Sequence, residues 1–239
     1  MKKIKEKKPK LSIITIVLND KIGLSKTIES VKNQDKNLFE FIVIDGKSND
    51  GSLDIIMKNS ELIDKYVSEK DRGIYDAFNK GLKLANGNSI LFLNAGDYFI
   101  GKVIYNETFK YPTLLPVKFD NIFGNISDYR QRDYRLSHPY NLGGIIFENK
   151  GILFDESYKI ASDYDFYLRH GYKNLKKTQT TGYVLYDNNG ISTVQYKLKY
   201  EECGQIVYKY FGVLNYLQYL IRTYIKHLIK VILKFTKLI

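Results

Sequence analysis

The chain has 239 residues, 44% of them apolar, enough for one large α/β domain or two small ones with a sizeable core, which excludes a disordered or fibrous protein. Its single cysteine, Cys203, excludes a disulfide framework or a thiolate cluster within one chain and fits a reducing compartment. The formal net charge of +11 sits entirely at the two ends, +5 in residues 1–10 and +6 in residues 205–239. The body between them is neutral, which disfavours a nucleic-acid-binding face.

Residues 1–10 form a basic tail. The apolar run that follows it is short and lacks a small-residue cleavage site, so 10–18 reads as a buried strand rather than a signal segment. Residues 39–45 repeat that β-branched pattern. Between the two, Leu24, Ile28 and Val31 mark one face of a helix. A short helix follows at 51–59, a short strand at 66–69, a helix with the stripe Ile74, Ala77, Phe78, Gly81, Leu82 and Ala85, and a fourth buried strand at 89–94. Alternation of strand and helix over 10–94 predicts a parallel, helix-covered sheet, and such sheets bind ligands at the carboxyl ends of their strands. Beyond residue 100 short strands and turns are expected, until helical character returns at 163–170 and 196–210.

The polar residues collect where those strands end: Asn19 after the first, Asp45 after the second, Glu69 and Asp71 after the third, Asn94 and Asp97 after the fourth. One such residue reads as a turn or cap, whereas four sets on one rim imply a site. In the loop DGKSNDGS (45–52), Asp45 is placed to accept hydrogen bonds from a base or ribose, Ser48 lies beside it, and Asp50 reads best as the cap of the next helix. Neither GxxxxGK[ST] nor GxGxxG occurs, which weakens a kinase or dehydrogenase reading.

The segments SIITIVLN (12–19), VIDGKSNDGS (43–52), SEKDRGIYDAFNKG (68–81) and FLNAGDYF (92–99) together resemble the successive motifs of inverting family 2 glycosyltransferases of the GT-A fold. The likeness resumes at FDESYKIASDYDFYLR (154–169) and is nearest to bacterial enzymes that build capsule, O-antigen and colanic-acid-type polysaccharides. It implies a Rossmann-like three-layer α/β/α domain with a mainly parallel central sheet over 11–204, divided into a nucleotide-sugar donor half (11–100) and an acceptor half (101–204). It places Asp97 on a divalent metal, Mn²⁺ or Mg²⁺, held with the donor diphosphate, although only Gly96 stands where a second acid is usual. The stretch Asn94, Ala95, Gly96, Asp97 would line the nucleotide-sugar, with the backbone of Val17 and the side chain of Asn19 at the first strand end. Asp45 and Asp71 would lie near base and ribose, and Asn79 would face the nucleotide from its helix. Arg72 and Lys80 would offset phosphate charge, with pairing of Arg72 to Glu69 or Asp71 as the open alternative.

Inverting transfer requires a carboxylate that takes a proton from the attacking hydroxyl, and the resemblance assigns this to Asp163, with Asp165 either supporting it from behind or on the acceptor side and His138 near the diphosphate or the acceptor. The bland alternative for Ser162 and Asp163 is a helix cap followed by a first-turn acid. Arg169 either touches phosphate or pairs with Asp165 four residues away. The charged aromatic segment 129–135 reads as an acceptor flap or a solvated loop.

In the last segment, 205–239, Arg222, Lys226, Lys230 and Lys234 recur every fourth residue among apolar side chains, and no acid balances them. This is a basic amphipathic helix, suited to an anionic membrane surface or to packing on the body or a second copy of the chain. The expected protein is a glycosyltransferase at the inner face of the cell membrane. It would move a sugar from a nucleotide-diphosphate donor, UDP foremost, to a lipid-linked or polysaccharide acceptor. The rivals are a non-catalytic nucleotide- or saccharide-binding relative and a sugar nucleotidyltransferase.

Overall fold

A computed structural model describes residues 10–104, 112–120, 126–128, 133–136, 138, 141–171, 175–178, 180–186 and 195–236. The basic tail before residue 10 and residues 129–132 of the charged aromatic segment lie outside them. Four parallel strands, β1 (Leu11–Val17), β2 (Phe39–Asp45), β3 (Lys65–Ser68) and β4 (Ser89–Phe92), alternate with α1 (Lys21–Lys32), α2 (Ser52–Lys58) and α3 (Ile74–Leu84). Each agrees with its expected position to within a few residues, because its apolar period is complete within the segment.

The chain continues through β5 (Tyr98–Ile100), β6 (Thr113–Leu114), β7 (Val117–Asp120), β8 (Ile126–Asp128), β9 (Ile145–Glu148), α4 (Ser162–Arg169), β10 (Lys176–Lys177), β11 (Tyr183–Tyr186) and α5 (Tyr196–Thr236). The main sheet has the order β10-β6-β9-β4-β1-β2-β3, and only β9 runs antiparallel to its neighbours. A second sheet, β5-β11-β7-β8, draws all its strands but β5 from beyond residue 100. Its strands are too short to show a period, and β5 pairs with β11, more than eighty residues downstream.

The central strands are apolar on both faces, which fixes three layers. Leu11, Ile13, Phe41 and Val43 pack with Leu24, Ile28 and Val31 of α1 and Ile56 of α2. Ile14, Ile42 and Ile44 pack with Tyr75 and Phe78 of α3 and Phe166 and Tyr167 of α4. Each such side chain contributes about 1.5–3 kcal/mol on burial. Phe92 stands where the aromatic rings converge, 5.0 Å from Phe78 and 5.3 Å from Phe154, so Phe92→Ala would cost about 3–5 kcal/mol.

The amino edge of the sheet is closed by one acid. Buried Glu40 accepts from the Ser12 hydroxyl (2.6 Å), the amides of Asn86 (2.5 Å) and Gly87 (3.0 Å) and the Lys65 ammonium (2.8 Å). Burial alone would raise its pKa, but Lys65, Ser12 and Asn86 hold it below the ordinary glutamate value.

The expected boundary at residue 205 falls inside a helix. The actual break is Gly212, whose φ of 76° and ψ of −176° are essentially reserved for glycine. Residues 213–236 fold back there onto 196–211: a Cβ on Gly204 would stand 3.2 Å from both Tyr216 and Tyr219, and the Tyr219 hydroxyl donates to Tyr200 O (2.7 Å). The first arm, 196–211, belongs to the body, with Cys203, Ile206 and Val207 buried against Ala161 and Tyr164.

Candidate active site

All four polar strand ends lie on the carboxyl rim because the four strands run parallel. The first two loops are laced together. Asn19, in the left-handed region at φ 52°, donates its amide to Ser48 Oγ (2.8 Å) and accepts from Asn49 N (2.9 Å) through Oδ1. Val17 O accepts from Gly46 N (2.9 Å). Asp50 accepts from the first amide of α1, Lys21 N (2.7 Å), and of α2, Ser52 N (2.9 Å), so the expected cap serves two helices. Asp45 is fully buried, accepting from Ser48 N (3.1 Å) and Ser68 Oγ (2.5 Å). It organises the loop from beneath rather than presenting its carboxylate on the surface.

Asp71 reaches over the same loop: its Oδ2 lies 2.8 Å from where a Cβ on residue 46 would stand, so only glycine fits there. Lys80 is surrounded by acids, 2.7 Å from Asp71, 2.9 Å from Glu69 and 3.3 Å from Asp76. Burial would lower its pKa, yet Asp71 and Glu69 raise it, so the ammonium is charged but already committed. Arg72 pairs with Asp76 (2.7 Å) and Glu156 (2.9 Å), and with neither acid weighed from sequence. Despite some burial, bonds from Arg72 and Lys80 bring Asp76 down to about 2.

Two of the expected site residues are engaged within the fold. Asn79 does not face outward from α3: it is buried, donates to Phe154 O (3.1 Å) and Glu156 Oε1 (2.9 Å), and accepts from Phe154 N (2.7 Å). It braces the strand-like segment entering α4. Asp165 is not on an open acceptor face either. Fully buried, it accepts from Arg169 Nε (2.6 Å), Tyr210 OH (2.9 Å) and Lys209 Nζ (3.0 Å), and so ties α4 to α5.

After β4 the chain turns at Asn94-Ala95-Gly96-Asp97, closed by Asp97 N to Asn94 O (3.0 Å), with Gly96 at φ 94°. Thr27, which no motif singles out, holds this turn from α1 through Asp97 O (2.7 Å) and Gly96 N (3.1 Å). Ala95 N donates to Ile16 O (3.1 Å). Asp97 is buried, and a Cβ on Gly143 would come within 3.8 Å of its Oδ2. The 3-10 turn Leu142–Gly144 thus roofs the end of β4. Buried Asn94 Oδ1 and Asn141 Nδ2 lack hydrogen-bond partners among the described residues. Such groups are expensive to leave unmet, and both are open to a polar ligand or a water molecule. Asn141 was legible only as a polar residue two positions before a Gly-Gly pair.

Tyr75 connects α4 to the same rim. It is the second residue of α3, and its buried phenol reaches the backbone amides of Ser162 and Asp163. Burial pushes that phenol well up, and the Asp163 carboxylate adds to the shift. Asp163 therefore opens α4 near Tyr75, and its Oδ1 accepts from Tyr164 N (2.9 Å). Arg169 pairs with Asp165, as its four-residue spacing allows, and the His138 ring packs edgewise on Tyr167 (5.5 Å) and Tyr164 (6.1 Å).

A helix-covered parallel sheet with acids along its carboxyl rim, joined to a smaller mixed sheet, is the GT-A class of nucleotide-diphospho-sugar fold. Residues 12–106, about two fifths of the chain, match the model of Glycosyl transferase family 2. An uncharacterized glycosyltransferase of Mycobacterium tuberculosis is 39% identical over 94 residues, 39% of this chain and 36% of the relative. A PGL/p-HBAD biosynthesis glycosyltransferase of Mycobacterium bovis is 26% identical over 187 residues, 67% of this chain and 69% of the relative. The chain thus spans about a third of the length of the first of these. Staphylococcus aureus TarS 1–349 in complex with UDP-GlcNAc aligns at a TM-score of 0.61 and 20% identity, over 83% of this chain and 65% of TarS. The mannosyltransferase PcManGT of Pyrobaculum calidifontis in complex with GDP-Man and Mn²⁺ aligns at 0.56 and 15% identity, over 84% of this chain and 63% of its own.

Proposed function

We propose that the protein is a metal-assisted inverting glycosyltransferase that moves a sugar from a UDP-type donor to a saccharide or lipid-linked acceptor. What supports this reading is the family 2 match over residues 12–106, on a parallel sheet whose carboxyl rim carries Asp97 after β4, together with a later helix, α4, that opens with Asp163. The acceptor hydroxyl oxygen attacks the anomeric carbon as the bond to the diphosphate oxygen breaks. The nucleoside diphosphate leaves with the electron pair, and Asp163 takes the hydroxyl proton. Asn19, Ser48 and Asp71 border the nucleotide, while Asn94 and Asn141 offer it their unmet amide groups.

Among the described residues no three His, Cys, Asp or Glu side chains gather as a metal site. A single carboxylate fits an ion that arrives on a diphosphate, since Mg²⁺ is commonly held by one or two carboxylates plus substrate phosphates. Asp97 would hold it, and the ion would neutralise charge on the departing diphosphate. UDP-GlcNAc on TarS and Mn²⁺ with GDP-Man on PcManGT support this choice of donor and ion.

No helix among the described residues is long and apolar enough to cross a membrane. The second arm of α5 nevertheless exposes Leu214, Leu217, Ile221, Tyr224 and Ile225 beside Arg222 and Lys226. An anionic bilayer at the inner face of the cell membrane suits that combination and would bring the rim to a lipid-linked acceptor.

Incubation with a panel of nucleotide sugars and Mn²⁺ tests the transfer. Release of nucleoside diphosphate that vanishes in Asp97→Ala and Asp163→Ala supports it, and release unchanged in both ends it. Flotation with vesicles containing anionic lipid tests the anchor. Flotation that persists without residues 213–239 removes it, and a concentration-dependent dimer lost with that arm assigns the face to a second copy instead.

A further inference from the structure

The residue at the cap of the helix that carries Asp163 is Ala161, which has no side chain to bond with; Ser162 is fully buried, and within the first turn only Tyr164 N is met by a side chain of the helix itself, through Asp163 Oδ1 (2.9 Å). Its entry is held from another element. Glu202, 6% exposed on the first arm of α5, accepts from three successive amides, Lys159 N (2.7 Å) through Oε1 and Ile160 N (2.8 Å) and Ala161 N (2.9 Å) through Oε2. About two helical turns further along that arm, Lys209 and Tyr210 grip Asp165. Between the two grips, Ile206 and Val207 are fully buried in the cluster that holds Ala161 and Tyr164. The first arm therefore holds α4 on both sides of Asp163, at 159–161 and at 165.

We propose that Glu202 is a positioning residue for the transfer reaction, fixing the direction from which Asp163 meets the acceptor hydroxyl. The inference rests on the reading of Asp163 as the base. A buried carboxylate is costly unless donors surround it, and three aligned amides satisfy Glu202 while fixing the backbone of three residues in register. Burial of apolar surface by Ile206 and Val207 joins the helices but leaves them free to slide. Directional bonds at both ends do not. Displacement of a reacting group by about 1 Å can cost about a hundredfold in rate, so the grip bears on turnover more than on donor binding.

Glu202→Gln tests this in the full chain, because the isosteric amide turns an N–H toward donors that need an acceptor. Turnover is expressed per UDP-binding site, counted by titration with UDP, so that loss of folded protein does not enter. The expected result is a fall in kcat of about tenfold or more with the donor KM within about twofold of wild type. An unchanged kcat per site, or kcat and KM moving together, overturns the proposal. Asp163→Asn separates the two readings: if it turns over like wild type the base assignment itself falls, whereas an inactive Asp163→Asn beside a wild-type Glu202→Gln sinks only the positioning role. Should Glu202→Gln not fold, Lys209→Met on the half-exposed side of the same grip replaces it. There a severalfold fall in kcat with unchanged KM supports the proposal and wild-type kinetics overturn it. Exposed Glu201→Gln serves as the neighbouring control and keeps both constants.

Discussion

The two edges of the central sheet use the same residue types and reach opposite outcomes. At the amino edge, Glu40 gathers Ser12, Lys65, Asn86 and Gly87 into a knot that engages both carboxylate oxygens. The carboxyl edge is organised with similar care, by Thr27, Asp45 and Asp50, yet among the described residues it leaves two amide groups, Asn94 Oδ1 and Asn141 Nδ2, buried without partners, against the Ser89 hydroxyl at the amino edge. A buried polar group that closes on itself contributes to stability, whereas one left unmet costs stability and awaits a ligand. A polar cluster near strand ends is thus informative only once its hydrogen bonds have been followed to their partners.

Substitutions at four residues sharpen or break that contrast. On the carboxyl rim, Asp163→Asn should reduce transfer by about 10²–10⁴-fold, measured as nucleoside diphosphate release, while the melting temperature barely moves. Asp97→Asn should do the same and abolish the response to Mn²⁺. At the amino edge the effects reverse: Glu40→Ala should destabilise by about 3 kcal/mol in urea unfolding, through the stranded Lys65 and amides, with kcat per folded molecule unchanged. A loss of turnover there would mean that the two edges are not independent.

The same knot sets a pH dependence. The Glu40 pKa is depressed in the folded state, so its contribution is present above the ordinary value of 4.5 and is lost as pH falls through the lower folded value. Urea unfolding between pH 3 and 6 should therefore show a slope that Glu40→Gln flattens. The smallest effect is expected at Asn141→Ala, which deletes an unmet buried group: stability within about 0.5 kcal/mol of wild type, with the donor KM raised about 2–10-fold. A clear loss of stability would show instead that this amide is already satisfied.

Much of this was readable along the chain. The strands and helices of residues 11–92 each complete an apolar period, and the acids that end the strands follow from the parallel order. Asp50 was legible as a cap because capping is local. Asn79 and Asp165 were not, since an amide or acid on a helix looks the same whether it faces a ligand or a helix distant in sequence. Thr27 was missed for the same reason: its partners, Gly96 and Asp97, lie some seventy residues away. The small second sheet escaped because strands of three or four residues carry no period and gain their partners only on closure.

The sequence by itself determined the layered α/β core, the likeness of its amino-terminal part to family 2 glycosyltransferases and the concentration of basic charge at the two ends, because apolar periodicity, strand-end chemistry and charge are local properties. Only the tertiary structure decided which polar side chains are spent on the fold and which remain unmet, and that the last helix breaks at Gly212 so that its first arm grips the segment bearing Asp163. Those outcomes depend on hydrogen bonds between residues tens of positions apart, whose pairing exists only once the sheet has brought them together.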